Sequence, residues 1–90
     1  MKPFPKSMNV LITYDEKLQR ITKVEQEEAI VSEGLTFVIF LKFIFDSYPE
    51  IPKLYPPGSI ELRLNDKPPK EFEVLNDGDV ISLKVLYSVN

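Results

Sequence analysis

The chain has 90 residues, a net charge of −3 and no cysteine, histidine or tryptophan. A chain of this length forms one domain with a single core. Because cysteine and histidine are absent, disulfides, thiolate catalysis and the commonest metal ligand are excluded. The negative charge argues against nucleic-acid binding, since phosphate contacts require a basic surface.

The sequence shows no segment typical of secretion or membrane insertion. The first residues, Met1 to Ser7, contain two prolines and no apolar run of a signal peptide. The strongest apolar stretch, Leu35 to Phe45, is interrupted by Thr36 and Lys42. It is about half as long as a bilayer-spanning helix. We therefore expect a cytoplasmic protein that makes no membrane contact and has a core helix in this region.

The first strand is predicted from Met8 to Tyr14, where β-branched and aromatic residues are frequent. Val10, Ile12 and Tyr14 alternate with Leu11 and Thr13, which indicates a strand with one buried face. The next residues, Asp15-Glu16-Lys17, are predicted to form a turn.

A second strand is expected between Leu18 and Val31, but its position stays open. It lies either near Ile21–Val24 or near Ala29–Val31. The acidic cluster Glu25-Gln26-Glu27-Glu28 is predicted to be a solvated loop or hairpin tip, because like charges repel one another and favour water.

The main helix is predicted from Phe37 to about Tyr48. Thr36 suits the N-cap, where its hydroxyl can accept a hydrogen bond from a free backbone N–H. Pro49 prevents the helix from continuing. Helical spacing places a group of apolar residues on one core-facing stripe: Phe37, Phe40, Leu41, Ile44 and Tyr48. Ile39 and Phe43 fall outside it.

The second half of the chain predicts two more strands, Ser59–Leu64 and Val80–Leu86. The inward-facing positions alternate: Ile60, Leu62, Leu64, Ile81, Leu83 and Val85. An irregular proline-rich connection, 49–58, precedes the first of these strands.

Two turns and a crossing complete the prediction. The turns are 65–69 and Asn76–Asp79, where Gly78 is free to adopt a positive φ. Between them, Lys70 to Leu75 is predicted to cross the molecule with Phe72 and Val74 as its anchors.

The predicted order is strand, strand, helix, strand, strand, which favours the α+β class. We expect one main helix packed across a mixed sheet of about four to five strands. The first and last strands are the most apolar, so they are predicted to lie side by side in the centre.

Three segments resemble a known family. Met8–Ile12 is similar to its opening strand, Glu33-Gly34-Leu35-Thr36 with Tyr48-Pro49 is similar to its helix, and Asp77–Leu83 is similar to its final strand. The family is that of the ubiquitin-like β-grasp sulfur carriers, which includes the small subunit of molybdopterin synthase and the thiamine-pathway sulfur carrier (MoaD/ThiS). The resemblance implies a β-grasp domain over 8–90. The preceding residues, 1–7, depart from the family's pattern, so either Met8 is the true start or these residues form a flexible arm, which their prolines favour.

The family's carrier chemistry requires a C-terminal Gly-Gly tail. An activating enzyme adenylates the terminal carboxylate, which becomes a thiocarboxylate that delivers sulfur. Glycines suit this because a tail without side chains can enter a narrow channel. Counted from Asp77-Gly78-Asp79, Ser88 lies before the pair, and Val89 and Asn90 replace it. We expect these side chains to obstruct the channel.

The first functional hypothesis is therefore a non-catalytic protein-interaction module. The alternative is a functional sulfur carrier, the small subunit of a cofactor-synthesising complex. No enzyme activity is expected, and no catalytic, metal-binding or cofactor-binding residue is predicted. The partner is another protein, with an activating enzyme or a larger enzyme subunit as candidates, and self-association stays open.

Two surfaces are candidates for partner binding. One is formed by Ile39 and Phe43, unless the connection Tyr48–Pro57 folds back and covers them with Ile51, Leu54 and Tyr55. The other is implied by the resemblance, which assigns the partner-facing role to the open face of the sheet and the tail: Arg63, Lys84, Leu86, Tyr87, Ser88, Val89 and Asn90. Arg63 and Lys84 either favour an acidic partner or simply keep this face soluble.

Overall fold

The computed structural model describes residues 6–56, 58–70 and 72–86. Its elements, in chain order, are β1 (Ser7–Tyr14), α1 (Glu16–Thr22), β2 (Gln26–Ser32), α2 (Phe37–Ser47), α3 (Glu50–Leu54), β3 (Ile60–Leu64) and β4 (Val80–Val85). The strands of this part of the chain form one mixed sheet in the order β2-β1-β4-β3. The α+β class and the ubiquitin-like arrangement of sheet and helix are confirmed.

The centre of the sheet is the parallel pair of β1 and β4, as predicted. Val10 and Ile12 of β1 are buried, and so are Ile81 and Leu83 of β4, with Ile12 opposite Ile81. The alternation predicted for both strands is therefore confirmed. Helix α2 covers this face with a stripe of buried residues: Phe37, Phe40 and Ile44.

The predicted turn at Asp15-Glu16-Lys17 is wrong, because these residues begin helix α1. The Asp15 Oδ1 atom accepts a hydrogen bond from the Leu18 N–H at 2.9 Å, which caps the helix. Leu18 is fully buried and anchors the helix against the core. The helix ends at Lys23, which has a φ of 67°. So short a helix has too few apolar residues to show a periodic pattern in the sequence.

The second strand lies at the later of the two predicted positions, and it includes most of the acidic cluster. The prediction of a solvated loop is wrong for Gln26, Glu27 and Glu28, which belong to β2. The charges are tolerated because β2 is an edge strand whose side chains reach water. Glu27 is the exception, since its carboxylate accepts hydrogen bonds from two tyrosines.

Helix α2 has the predicted extent and ends before Tyr48-Pro49. The predicted capping by Thr36 is wrong, because its side chain makes no capping hydrogen bond. Its Oγ1 atom is buried without a partner among the described residues. The Phe37 N–H donates instead to the Glu73 carbonyl at 2.8 Å, so a neighbouring segment satisfies the helix end.

The connection after α2 was predicted to be irregular, but it contains the short helix α3. Pro52 is compatible with this helix because it lies in the first turn, where backbone N–H groups have no partner within the helix. Ile51 is fully buried and ties α3 to the core.

The crossing before β4 is anchored differently from the prediction. Phe72 is 72% exposed and Val74 is 49% exposed, so neither anchors it. Leu75 is 1% exposed and takes that role, held by a 2.9 Å hydrogen bond from its N–H to the Leu35 carbonyl. The turn that follows is as predicted, with a φ of 85° at Gly78.

Candidate interaction surface

The outer side of α2 carries two large apolar residues that the core does not use. Ile39 is 46% exposed and Phe43 is 50% exposed. They are one helical turn apart, which makes them neighbours on the helix surface. Helix α3 does not cover them, because Ile51 is buried in the core and Leu54 is itself 55% exposed.

A groove lies between α2 and the edge strand β2, and Phe43 forms part of its wall. We call it the β2–α2 groove. It has a volume of about 220 Å³ and is lined by Ile12, Glu27, Ala29, Val31, Phe40, Phe43, Ile44 and Ser47. Most of this lining is apolar, so the groove is suited to an apolar side chain.

The carboxylate of Glu27, which lines the groove, is held in place by two tyrosines. The Tyr14 hydroxyl donates to Glu27 Oε1 at 2.8 Å, and the Tyr48 hydroxyl donates to Glu27 Oε2 at 2.9 Å. Burial raises the pKa of both tyrosines, and the hydrogen bonds to Glu27 raise the pKa values further. Both hydroxyls are therefore protonated donors at neutral pH. The Glu27 cluster joins β1, β2 and the end of α2.

The open face of the sheet, which points away from α2, has an apolar patch of its own. Leu11 of β1 lies beside Val80 of β4, and Ile30 of β2 lies opposite Asn9 of β1. Ile30 is 72% exposed. Ile30 could not be assigned to this patch from the sequence, because the register of β2 was unknown, and a one-residue shift moves every side chain to the other face.

The predicted basic residues of the open face are partly neutralised by a neighbour. Arg63 forms a salt bridge with Glu61 at 3.2 Å and donates to the Asp66 carbonyl at 3.0 Å. Lys84 lies directly opposite Glu61 on the adjacent strand. The structure thus places Arg63 and Lys84 on one face with a carboxylate between them.

Beyond β4, Leu86 is 51% exposed, and two hydrogen bonds hold the backbone at Val85 and Leu86. The Val85 N–H donates to Asp15 Oδ2 at 2.6 Å, and the Leu86 N–H donates to the Ser59 carbonyl at 2.7 Å. The other predicted tail residues lie outside the described residues: Tyr87, Ser88, Val89 and Asn90.

A second apolar pocket, of about 250 Å³, lies between α2, α3 and β3. It is lined by Leu41, Phe45, Pro52, Tyr55, Pro56, Gly58, Ile60 and Leu62.

Within the described ranges, no helix is long and apolar enough to cross a membrane. No group of three or more acidic residues in the same ranges is arranged to hold a metal ion.

No family model and no curated protein sequence matches this chain. Solved structures do resemble it. A protein described as molybdopterin converting factor, subunit 1, from Pyrococcus furiosus has a TM-score of 0.78 at 19% identity, covering 89% of this chain and 99% of its own. Small archaeal modifier protein 1 from Haloferax volcanii has a TM-score of 0.74 at 13% identity, covering 89% of this chain and 99% of its own.

The small archaeal modifier protein 1 from Methanosarcina acetivorans is also similar, with a TM-score of 0.69 at 16% identity. It covers 94% of this chain and 99% of its own. At such low identities the likeness establishes the fold. The resemblance predicted from the sequence is thereby confirmed at the level of the fold: the chain is a ubiquitin-like β-grasp protein of MoaD-like architecture.

Proposed function

We propose that this protein is a non-catalytic protein-interaction module built on a MoaD/ThiS-like scaffold. The observation that carries the proposal is the exposure of Ile39 and Phe43, each about half accessible on α2. Adjacent apolar side chains that the core does not require are typical of surfaces that bind another protein. The solved neighbours support this class of function, since they are named as a subunit and as modifier proteins.

The open face and the tail form the second part of the proposed surface. Arg63, Lys84 and Leu86 lie on or beside the last two strands, and 87–90 continue from Leu86. Hydrogen bonds to Asp15 and to the Ser59 carbonyl hold the backbone at Val85 and Leu86. A partner that docks on this face would contact the end of β4. An activating enzyme or a larger enzyme subunit fits this description.

The proposal is tested by affinity purification from the host with the double variant Ile39→Asp, Phe43→Asp. The variant is expected to keep the melting temperature of the parent protein and to lose its specific partner. Leu54→Asp is the matched control, because Leu54 is similarly exposed but lies on α3. Unfolding of the double variant, or capture of the same partner, would contradict the proposal.

The alternative function is a sulfur carrier, and the name of the Pyrococcus furiosus neighbour favours it. In this chemistry the terminal carboxylate attacks ATP and releases pyrophosphate, and a sulfur donor then displaces AMP. Incubation with the family's activating enzyme, ATP and a sulfur donor tests it. A mass increase from exchange of one carboxylate oxygen for sulfur would establish the carrier, and an unchanged mass would reject it.

A further inference from the structure

Resting on the proposed function, we propose that the partner binds as an extended strand added to the free edge of β2. The added strand has apolar side chains that enter the β2–α2 groove and basic side chains that alternate with them on the open face. This mode of binding extends a sheet by one strand, with backbone hydrogen bonds for affinity and alternate side chains for specificity.

The backbone of β2 has a free hydrogen-bonding side. The Tyr14 N–H donates to the Glu25 carbonyl at 3.0 Å, and the Glu33 N–H donates to the Lys6 carbonyl at 2.9 Å. Because hydrogen-bonded and non-hydrogen-bonded pairs alternate in antiparallel strands, the odd-numbered residues of β2 face β1. The residues whose N–H and C=O groups point away from the sheet are therefore Gln26, Glu28, Ile30 and Ser32.

This edge lacks several of the usual protections against pairing. Edge strands are commonly blocked by proline, charged side chains, a bulge or a covering segment. The charged side chains of β2 are both glutamates, which oppose an acidic strand but not a basic one. Strand β2 is seven residues long, contains no proline or lysine, and pairs without interruption with β1. In the part of the chain that the structure describes, no strand lies on its outer side.

Apolar side chains flank the free edge on both faces of the sheet. On the helix side, Ala29 and Val31 line the β2–α2 groove together with Phe43. On the open face, Ile30 is 72% exposed. A strand placed beside β2 would cover both sites at once. Its helix-side residues must be apolar to occupy the groove.

The negative charge of the β2 edge favours basic side chains on the open face of the added strand. No lysine or arginine occurs between Lys23 and Lys42, whereas Glu25, Glu27, Glu28 and Glu33 all lie in this segment. Glu27 accepts hydrogen bonds from Tyr14 and Tyr48. Glu25, Glu28 and Glu33 are exposed. A lysine on the added strand can pair with Glu28 while its aliphatic stem covers Ile30.

The same charges disfavour a second copy of this chain as the occupant. If two copies of β2 paired about a two-fold axis at Ile30, Glu27 of each copy would lie opposite Glu33 of the other. Like charges directly opposite one another destabilise a strand pair. The edge therefore fits a basic strand better than it fits itself.

The test uses an acetylated and amidated heptapeptide of alternating lysine and valine, with a control peptide in which glutamate replaces lysine. Amide hydrogen exchange is measured on the ¹⁵N-labelled protein. The lysine peptide is expected to slow exchange at Glu28, Ile30 and Ser32 and to leave Ala29 and Val31 unchanged. Equal binding of both peptides, or slowed exchange at β3 instead, would overturn the proposal.

Two variants probe the charge at the edge. Glu28→Lys is expected to weaken binding of the lysine peptide by about fivefold, since it replaces an attractive cross-strand pair by a repulsive one. Glu50→Lys makes the same change of charge on α3 and is expected to leave the affinity unchanged. Equal effects of the two variants would show that only net charge matters and would overturn the proposed site.

A third variant probes the backbone. Ile30→Pro removes an outward N–H group, and proline is tolerated at strand edges when its N–H would face solvent. It should abolish peptide binding, whereas Ile30→Ala should retain it. If Ile30→Pro does not fold, the lysine peptide is instead N-methylated at the amides that would face β2. N-methylation removes the peptide N–H groups that would donate to β2, so this peptide should not bind. Undiminished binding of that peptide would contradict strand addition.

Strand addition at β2 can fail while the protein still binds a partner, and the experiments separate these two results. If the lysine peptide does not bind but Ile39→Asp, Phe43→Asp still abolishes partner capture, the module docks by another mode. If the outward amides of β2 are protected without peptide and the protein sediments as a dimer, the occupant is a second copy and the basic-strand proposal is wrong.

Discussion

The centre of the sheet and its β2 edge are both rich in apolar residues, but only the centre uses them for folding. Val10 and Ile81 in the centre are fully buried, whereas Ile30 of β2 is 72% exposed and Phe43, on α2 beside this edge, is 50% exposed. Burial of an apolar side chain stabilises a protein in proportion to the area removed from water. The centre therefore holds the fold together, and the edge keeps apolar area that binding can bury.

Truncating one buried and one exposed side chain should separate the two regions by the largest difference in stability. Leu83→Ala in the centre should lower the free energy of unfolding by about 3 kcal/mol, because it removes buried atoms and leaves a cavity. Phe43→Ala at the edge should lower it by less than about 1 kcal/mol, as expected for a half-exposed site. Urea denaturation measures both. Similar losses for the two variants would show that Phe43 belongs to the core.

A second prediction concerns the residue that joins α1 to the end of β4. Asp15→Ala should cost about 2 kcal/mol, because one carboxylate caps α1 and also accepts the Val85 N–H. Asp15→Asn should cost less, since its amide oxygen can still accept one of the two bonds. Thermal unfolding of both variants, with Glu16→Ala as a control in the same turn, measures the difference. An Asp15→Ala variant as stable as Glu16→Ala would contradict this role.

The Glu27 cluster predicts a loss of stability at alkaline pH. Tyr14 and Tyr48 donate to Glu27 only when protonated, and their pKa values are raised above the ordinary tyrosine value of about 10. A raised pKa in the folded state gives stability that is complete below about pH 10 and declines as the pH rises further.

The check is denaturation at pH 8 and pH 11 for the parent protein, Tyr14→Phe, and Tyr55→Phe as a control outside the Glu27 cluster. Tyr14→Phe should be less stable at pH 8 by about 1.5 kcal/mol, because a hydrogen bond to a charged group is lost. It should also depend less on pH between the two conditions. If Tyr14→Phe loses as much unfolding free energy between pH 8 and pH 11 as the parent protein does, Tyr14 is not the source of the pH dependence.

The smallest effect is expected at the far edge of the sheet. Arg63→Ala should change the free energy of unfolding by less than about 0.5 kcal/mol, because its salt bridge to Glu61 is solvent-exposed. If Arg63 contributes to partner docking, the variant should associate with an acidic partner more slowly than the parent protein, and this difference should grow as salt is lowered. Stopped-flow association at two salt concentrations separates these outcomes. A large loss of stability would show a structural role.

Much of the centre was predictable from the sequence. The alternation in β1 and β4 marks their buried faces, and Pro49 marks the end of α2. These signals are local and repeat with the period of the element that they specify. The motifs around them also indicated the family whose fold the structure shows.

The edge was harder to predict because its features depend on distant residues. Helix α1 is too short to show a periodic pattern, and the acids of β2 suggested a loop. Only the register Asn9 opposite Ile30 shows that Ile30 lies on the open face. Likewise, Glu27 is stabilised by Tyr14 and Tyr48, which are 13 and 21 residues away in sequence. Ile39 and Phe43 were identified because helical periodicity alone places them outside the core stripe.

We propose that the exposed apolar side chains Ile39 and Phe43 bind a partner and contribute little to folding. The most direct measurement compares Ile39→Asp, Phe43→Asp with the parent protein for both the free energy of unfolding and the amount of partner recovered from the host. We expect the unfolding free energy to change by less than about 1 kcal/mol and the partner to be lost. An unfolded variant, or a stable variant that recovers the partner in full, would contradict it.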